Sequence, residues 1–255
     1  MSASPFQSGT PSGLAGFCFE NSGRVILAVL KEALDKFLKA LLMKKQDIYK
    51  VKEAYNTVAS EYATQYFFEL DKKPIDRIFL ETFAARLKGK KNILEIGCGP
   101  GQVACFLNKL GVKVKGIDIS DEMVTQARLL NPTSSFEQGD VLDLKYNDKS
   151  VDGIVAFYLI VNFALRDVKK AMAEIYRILK NGGIFLTSFH IGKEVIRLHE
   201  FLGKKVELDF IFHSPEEVVE IMERCCFVID ELIIRYPYRD AEYPSKRAYI
   251  FARKI

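Results

Sequence analysis

Asn92-Ile93-Leu94-Glu95-Ile96-Gly97-Cys98-Gly99-Pro100-Gly101 decides how the rest of this chain is read. Its apolar run, Ile93-Leu94 and then Ile96, is the pattern of a strand buried on both faces of a parallel sheet. Glycines at 97, 99 and 101 interrupt it, and Val103, Ala104, Phe106, Leu107 and Leu110 then recur at helical spacing. Strand, glycine turn and helix form the front half of a unit that holds a nucleotide-like ligand. Without Cβ atoms the turn takes positive φ and lets a ligand approach the backbone.

Downstream the alternation repeats. Strands are expected at 91–96, 112–117, 134–138, 151–157 and 184–189. The helices between them run over 102–110, from Ser120 to Leu130, and from Val168 to Leu179, the last ended by Asn181-Gly182-Gly183. Ser214, Pro215 and Glu217 form a capping box for a helix over 214–225. Strands near 227–235 and 247–254 follow with no helix between them, so they pair antiparallel. The expected fold is α/β: a doubly wound, mostly parallel seven-stranded sheet with a terminal antiparallel strand.

Upstream, a helical pattern from Asp47 to Tyr66 carries Tyr55, Tyr62 and Tyr66. A second, entered at Pro74, carries Ile75, Ile78, Phe79, Phe83 and Leu87 and stops at Gly89. Residues 47–88 are thus read as a helical cap, 91–190 as the ligand-binding core, and 191–255 as a C-terminal helix and strand hairpin. Residues 1–42 are read as an extension outside the functional domain of 43–255. Its first 24 residues, rich in Ser, Gly and Pro, are expected to be loosely packed, and 25–42 to form an amphipathic helix. Met43-Lys44-Lys45 would serve as the start of a bacterial protein.

The net charge of +4, with Lys and Arg spread along the chain, gives no sign of nucleic acid. Five cysteines without a CxxC pair fit reduced thiols in the cytoplasm, and Cys225-Cys226, in an apolar stretch, are expected in the core. The three histidines lie far apart, so no metal site is expected. No apolar run approaches the roughly 20 residues that cross a bilayer.

Ligands of such a sheet bind beyond the carboxyl ends of its strands. Marked residues fall there: the three glycines, Asp118 after the second strand, Asp140 after the third, and Phe157-Tyr158 after the fourth. Asp118 suits a ribose diol and Asp140 an exocyclic amine, with Ile119, Met123 and Val141 placed to sandwich a base. A nicotinamide dinucleotide would want a third glycine where Gln102 stands. The acid Glu95 and the G-x-G-x-G spacing favour a ligand with an amino-acid tail.

On Glu95-Ile96-Gly97-Cys98-Gly99-Pro100-Gly101, Asp118, Asp140 and the antiparallel end, residues 47–254 resemble the class I S-adenosylmethionine-dependent methyltransferases. Within them the chain is similar to small bacterial methyltransferase-domain proteins of unassigned substrate, through 55–62, 71–77, 188–190 and 242–249. It departs from that group at Asn162, where a histidine is frequent. The resemblance implies that the glycine turn holds the methionine part of S-adenosylmethionine. It also implies that Asp118 binds the ribose, that Asp140 and Val141 recognise adenine, and that Tyr62 closes over the site. The implied activity is methyl transfer to a small-molecule acceptor. Tyr158, His190, Lys73, Asp76 and Arg77 are the candidates for proton removal or for anchoring an acidic group. A non-catalytic cofactor-binding module and, more distantly, a nicotinamide-dependent oxidoreductase are the alternatives.

Overall fold

The structure is a computed structural model that describes residue 31, residues 48–239 and residues 241–255. The chain divides into two compact units, Met1–Tyr49 and Lys50–Ile255. In the first only Lys31, Ile48 and Tyr49 are described, all helical. The loose segment expected over 1–24 and, Lys31 apart, the helix over 25–42 lie outside the described residues.

The second unit is built on a seven-stranded sheet. The strands, in chain order, are β1 (Ile93–Ile96), β2 (Val114–Asp118), β3 (Ser135–Gln138), β4 (Val151–Phe157), β5 (Leu179–His190), β8 (Phe227–Arg235) and β9 (Arg247–Lys254). Their spatial order is β3-β2-β1-β4-β5-β9-β8, parallel throughout except for β9, which runs antiparallel to both neighbours. This agrees with the expected fold. All four residues of β1 are buried, because strands on both sides and helices on both faces leave it no solvent-facing side.

Helices α2 (Pro74–Arg86), α3 (Gln102–Lys109), α4 (Asp121–Leu130), α5 (Leu165–Ile178) and α6 (Pro215–Arg224) connect or cover the strands. Ser120 caps α4 by accepting from the Met123 N–H at 3.1 Å, and the capping box of α6 closes through Ser214 and Glu217. Gly101 begins α3 at φ +83°, and a Cβ there would lie 2.8 Å from both Asn131 Nδ2 and Phe136 Cζ. Both the backbone and the space demand glycine at that position.

Three local expectations are corrected. Helix α5 ends at Ile178, not at Asn181-Gly182-Gly183, because Leu179 is fully buried and already pairs with Val151 in the sheet. The glycines form an irregularity inside β5, with Gly182 at φ +72°. Of the two adjacent cysteines, Cys225 is half-buried and Cys226 exposed, since the chain turns there at φ +69° to enter β8.

The third correction concerns residues 191–213, which hold a two-stranded antiparallel sheet, β6 (Val195–Phe201) and β7 (Lys204–Ile211). Leu202 and Gly203, both at positive φ, make its two-residue turn, the geometry that matches the twist of paired strands. Its apolar residues pack on helix α1, residues 50–66: Ala54 and Val58 meet Val206 and Leu208, with Tyr55, Tyr62, Phe201 and Phe210 around them. The cap is therefore not purely helical. Half of it comes from an insertion after β5.

Asn162, in a 3-10 turn after β4 (Leu159–Asn162), joins the two halves. Its Oδ1 accepts from Tyr55 Oη at 3.0 Å, and its Nδ2 donates to the Asp209 carbonyl at 2.9 Å. Asn162→Ala strands both partners and is expected to cost about 1–3 kcal/mol. Urea unfolding checks it; a midpoint equal to the parent's would show that the bridge does not stabilise the cap.

Candidate active site

The carboxyl ends of β1, β2 and β3 form one half of the site. Gly97, Gly99 and Gly101 all take positive φ. The Gly97 and Cys98 N–H groups donate to the Ile117 carbonyl at 2.9 and 3.0 Å, which binds the turn to β2. Asp118 completes the attachment: its Oδ2 accepts from the Gly99 N–H and its Oδ1 from the Ser120 N–H, both at 2.9 Å. Burial raises its pKa, and only backbone N–H groups oppose that effect. Gly139 N–H donates to the Asp118 carbonyl at 2.9 Å, drawing the β3 end alongside.

The other residues expected here hold less uniform positions. Asp140 is half-buried and its Oδ1 accepts from the Leu142 N–H at 2.8 Å, a local turn bond that occupies one of its two oxygens. Ile119 and Phe157 are half-buried, Met123 and Val141 buried. Glu95 points beneath helix α3, where its Oε2 accepts from the Ala104 N–H at 2.9 Å, and burial lifts its pKa well above the usual carboxylate range. Tyr62 reaches in from the cap, its Cε1 3.9 Å from where a Cβ on Gly99 would stand.

The ends of β4, β5, β8 and β9, with the start of α2, form the other half. Asp76 is fully buried. Its Oδ1 accepts from Arg235 Nη2 at 2.8 Å and Tyr249 Oη at 2.7 Å, its Oδ2 from Tyr158 Oη at 3.3 Å. Arg235 also holds Glu242 through two bonds of 2.6 and 2.7 Å. Lys73 pairs with Glu69 at 2.6 Å and lies 3.6 Å from Glu242. Glu69 in turn accepts from Gln102 Nε2 at 3.1 Å, so the network runs unbroken from the glycine turn to this corner. Arg77, half-buried on α2, stands outside it.

His190 ends β5 with its ring stacked on Phe212 at 4.9 Å and 5.2 Å from Tyr158. Its Nδ1 meets Ser245 Oγ at 2.9 Å. Burial, then the charges of Arg247 and Lys73, push its pKa down from 6.5 to about 3. A histidine that stays neutral on folding loses its proton relative to the unfolded chain. Its contribution to stability is thus whole above pH 6.5 and vanishes as pH falls toward 3. Glu242 loses its contribution in the same direction at lower pH. Burial works against its charge, but Arg235 outweighs this and holds its pKa at about 2 instead of 4.5. Stability is expected to decline from pH 6.5 downward, with a shallower decline in His190→Gln. Chemical denaturation at stepped pH measures both, and identical slopes would contradict the buried neutral imidazole.

Arg235 has no part in the sequence reading, and Glu242, Arg247 and Tyr249 enter it only within the stretch 242–249 that carries the resemblance, without a role at the site. For Arg235 and Arg247 the sequence signal is a charge at the end of β8 and at the start of β9. His199 is exposed, and buried His213 contacts the Ile160 carbonyl at 3.2 Å. Among the described residues no helix is long and apolar enough to cross a membrane.

Residues 94–187 match the family model described as a methyltransferase domain. The chain is 34% identical over 109 residues to the malonyl-[acyl-carrier protein] O-methyltransferase of Erwinia billingiae, covering 43% of this chain and 42% of that one. It is 34% identical over 167 residues to the demethylmenaquinone methyltransferase of Chlorobaculum tepidum, covering 64% of each. The aligned part thus spans less than two thirds of either relative. Among solved structures, magnesium protoporphyrin IX methyltransferase from Synechocystis with S-adenosylmethionine bound is similar at a TM-score of 0.62. It is 16% identical, and the match covers 82% of this chain and 97% of that one. The matched stretch runs from β1 into β5 and contains the glycine turn and Asp118, and the likeness to the solved structure extends to the fold.

Proposed function

We propose that the chain binds S-adenosylmethionine at the glycine turn and transfers its methyl group to a small-molecule acceptor at the ends of β4 and β5. The observation that carries this reading is the pairing of the turn with Asp118. The cradle is open above Gly99, where an added Cβ would meet nothing closer than 3.9 Å. Asp118 keeps a lone pair on each oxygen beyond its two backbone bonds, which is what a vicinal diol requires. The buried Oε1 of Gln102, at the start of α3, has no hydrogen-bond partner. A polar ligand tail over the turn would supply one.

The glycine turn would hold the amino-acid tail, with Glu95 supporting it from beneath. Asp118 would hold the ribose, while Asp140, Val141, Ile119 and Met123 would hold the base. Tyr62 and Phe157 would close the two sides. The cofactor, when bound, supplies a methyl group activated on a sulfonium sulfur. The chain's own tasks are then to align the acceptor, keep water out and maintain its nucleophilic form. The α1 helix and the β6–β7 hairpin supply the cover. Cytoplasmic placement of a small-molecule enzyme accords with this reading.

Calorimetry with S-adenosylmethionine and with NAD, followed by transfer of labelled methyl to metabolite mixtures, tests it. S-Adenosylmethionine binding with turnover is expected. Binding without transfer would favour a non-catalytic module, and NAD binding alone would overturn the cofactor assignment.

A further inference from the structure

The corner beside His190 contains a buried cation with no anion of its own. Arg247 is 2% exposed. Its Nη1 donates to Ser245 Oγ at 2.7 Å and to the Ser245 carbonyl, and its Nη2 donates to the Tyr243 carbonyl at 3.0 Å. Its Nε has no hydrogen-bond partner. Among the described residues, the one carboxylate within ion-pair reach is Glu242, 3.9 Å away. Glu242 is already committed to three donors, Arg235 Nη1, Arg235 Nη2 and the Tyr238 N–H. A second orphan lies nearby. Ser188 Oγ is fully buried without a partner, two residues before His190 and in register with Phe157 and Tyr249. Ser188, His190, Tyr249, Arg247 and Arg235 fall on one face of the sheet end, since residues in cross-strand register, and residues two apart along a strand, share a face.

We propose that the methyl acceptor is a carboxylate, seated at the ends of β4, β5 and β9 against Arg247, His190 and Ser188. This rests on the methyl-transfer reading above. Ser245 Oγ, which accepts from Arg247, has its own proton to give to His190 Nδ1, and in that tautomer the ring proton sits on Nε2. The corner then offers a guanidinium N–H, an imidazole N–H and a hydroxyl, all donors, as a carboxylate needs. The rings of Tyr158 and Phe212 pack against His190 and supply apolar surface beside these donors.

The proton inventory favours the same acceptor. Burial and the Asp76 carboxylate push the Tyr158 phenol up to about 12, His190 is held down near 3 and Glu242 near 2. Burial disfavours the Lys73 charge, but Glu69 and Tyr158 outweigh it and keep the ammonium protonated. None of these groups removes a proton effectively at neutral pH. A carboxylate requires no such removal. Its oxygen displaces the thioether sulfur, the O–CH3 bond forms as the S–CH3 bond breaks, and the negative and sulfonium charges cancel. The products are a methyl ester and S-adenosylhomocysteine, with no proton left over.

The test has a binding arm and a product arm. On protein saturated with S-adenosylhomocysteine, calorimetry compares acetate with acetamide and benzoate with benzamide. Each acid should bind about tenfold or more tightly than its amide, the scale of a charge-assisted hydrogen bond. The preference should vanish in Arg247→Met and return in Arg247→Lys, with cofactor affinity at the parent's value in both. Should Arg247→Met not fold, Ser188→Ala replaces it and should weaken both acids by more than it weakens their amides, because the bond to a charged acceptor is the stronger. In the product arm, label transferred from S-adenosylmethionine to a panel of carboxylic acids should be released as methanol by mild base, as methyl esters are. Equal affinity for acids and amides overturns the proposal. So does label that appears only on alcohols or amines and resists base, although methyl transfer itself then stands. Cofactor binding with no transfer to any acceptor removes the methyl-transfer reading and this one with it.

Discussion

Asp118→Ala is expected to weaken S-adenosylmethionine binding by about a hundredfold or more. Two charge-assisted hydrogen bonds to the ribose, at about 1.5–3 kcal/mol each, would be lost, and each 1.4 kcal/mol is about tenfold in affinity. The substitution also releases the Gly99 N–H from its 2.9 Å bond, so the turn loses the anchor that fixes its shape toward β2. Asp118→Asn separates the two effects. It keeps one acceptor oxygen in nearly the same volume, and an intermediate affinity is expected. Calorimetry on the three proteins reads this directly, with thermal melting of the unliganded forms as the control for folding. Affinity equal to the parent's in Asp118→Ala would place the ribose elsewhere.

The second large effect is on stability. Asp76→Ala should lower it by about 3–5 kcal/mol, because it leaves Arg235 buried with half its counter-charge gone and takes the carboxylate acceptor from the Tyr249 and Tyr158 hydroxyls. For a unit of this size the melting temperature should fall by about 6–20 °C. An exposed pair gives the contrast. Arg224 and Glu220 are 2.6 Å apart on the surface of α6, and Arg224→Ala should leave the melting temperature nearly unmoved. The difference is burial: water solvates the surface partner left behind but cannot reach Arg235. Equal, small shifts in both variants would show that the Asp76 network contributes no more than a surface pair.

Much of the fold was legible because local rules produce it. The apolar run of β1, the capping serines 120 and 214, and the absence of a helix between β8 and β9 act over a few residues, and the structure shows each where expected. The β6–β7 hairpin was also written locally. Ile196 and Leu198, then Val206, Leu208 and Phe210, alternate with charged neighbours about the Leu202-Gly203 turn. Its pattern is masked because the hairpin interrupts the strand–helix alternation on either side of it. The end of α5 was misplaced because sheet pairing at Leu179 overrode the glycine signal three residues later.

The site divides along the same line. By itself the sequence determined the glycine turn, Asp118 and the order of strand ends, since positive φ, apolar periodicity and capping are properties of neighbouring residues. Only the tertiary structure decided that Asp76 meets Arg235 and Tyr249, residues 159 and 173 positions away, and that Arg247 is buried opposite His190, 3.9 Å from a Glu242 that Arg235 already holds. Those contacts depend on β9 entering antiparallel between β5 and β8 with α2 laid across them. No short stretch of sequence encodes such a distance, because it is set by the packing of elements that are far apart along the chain.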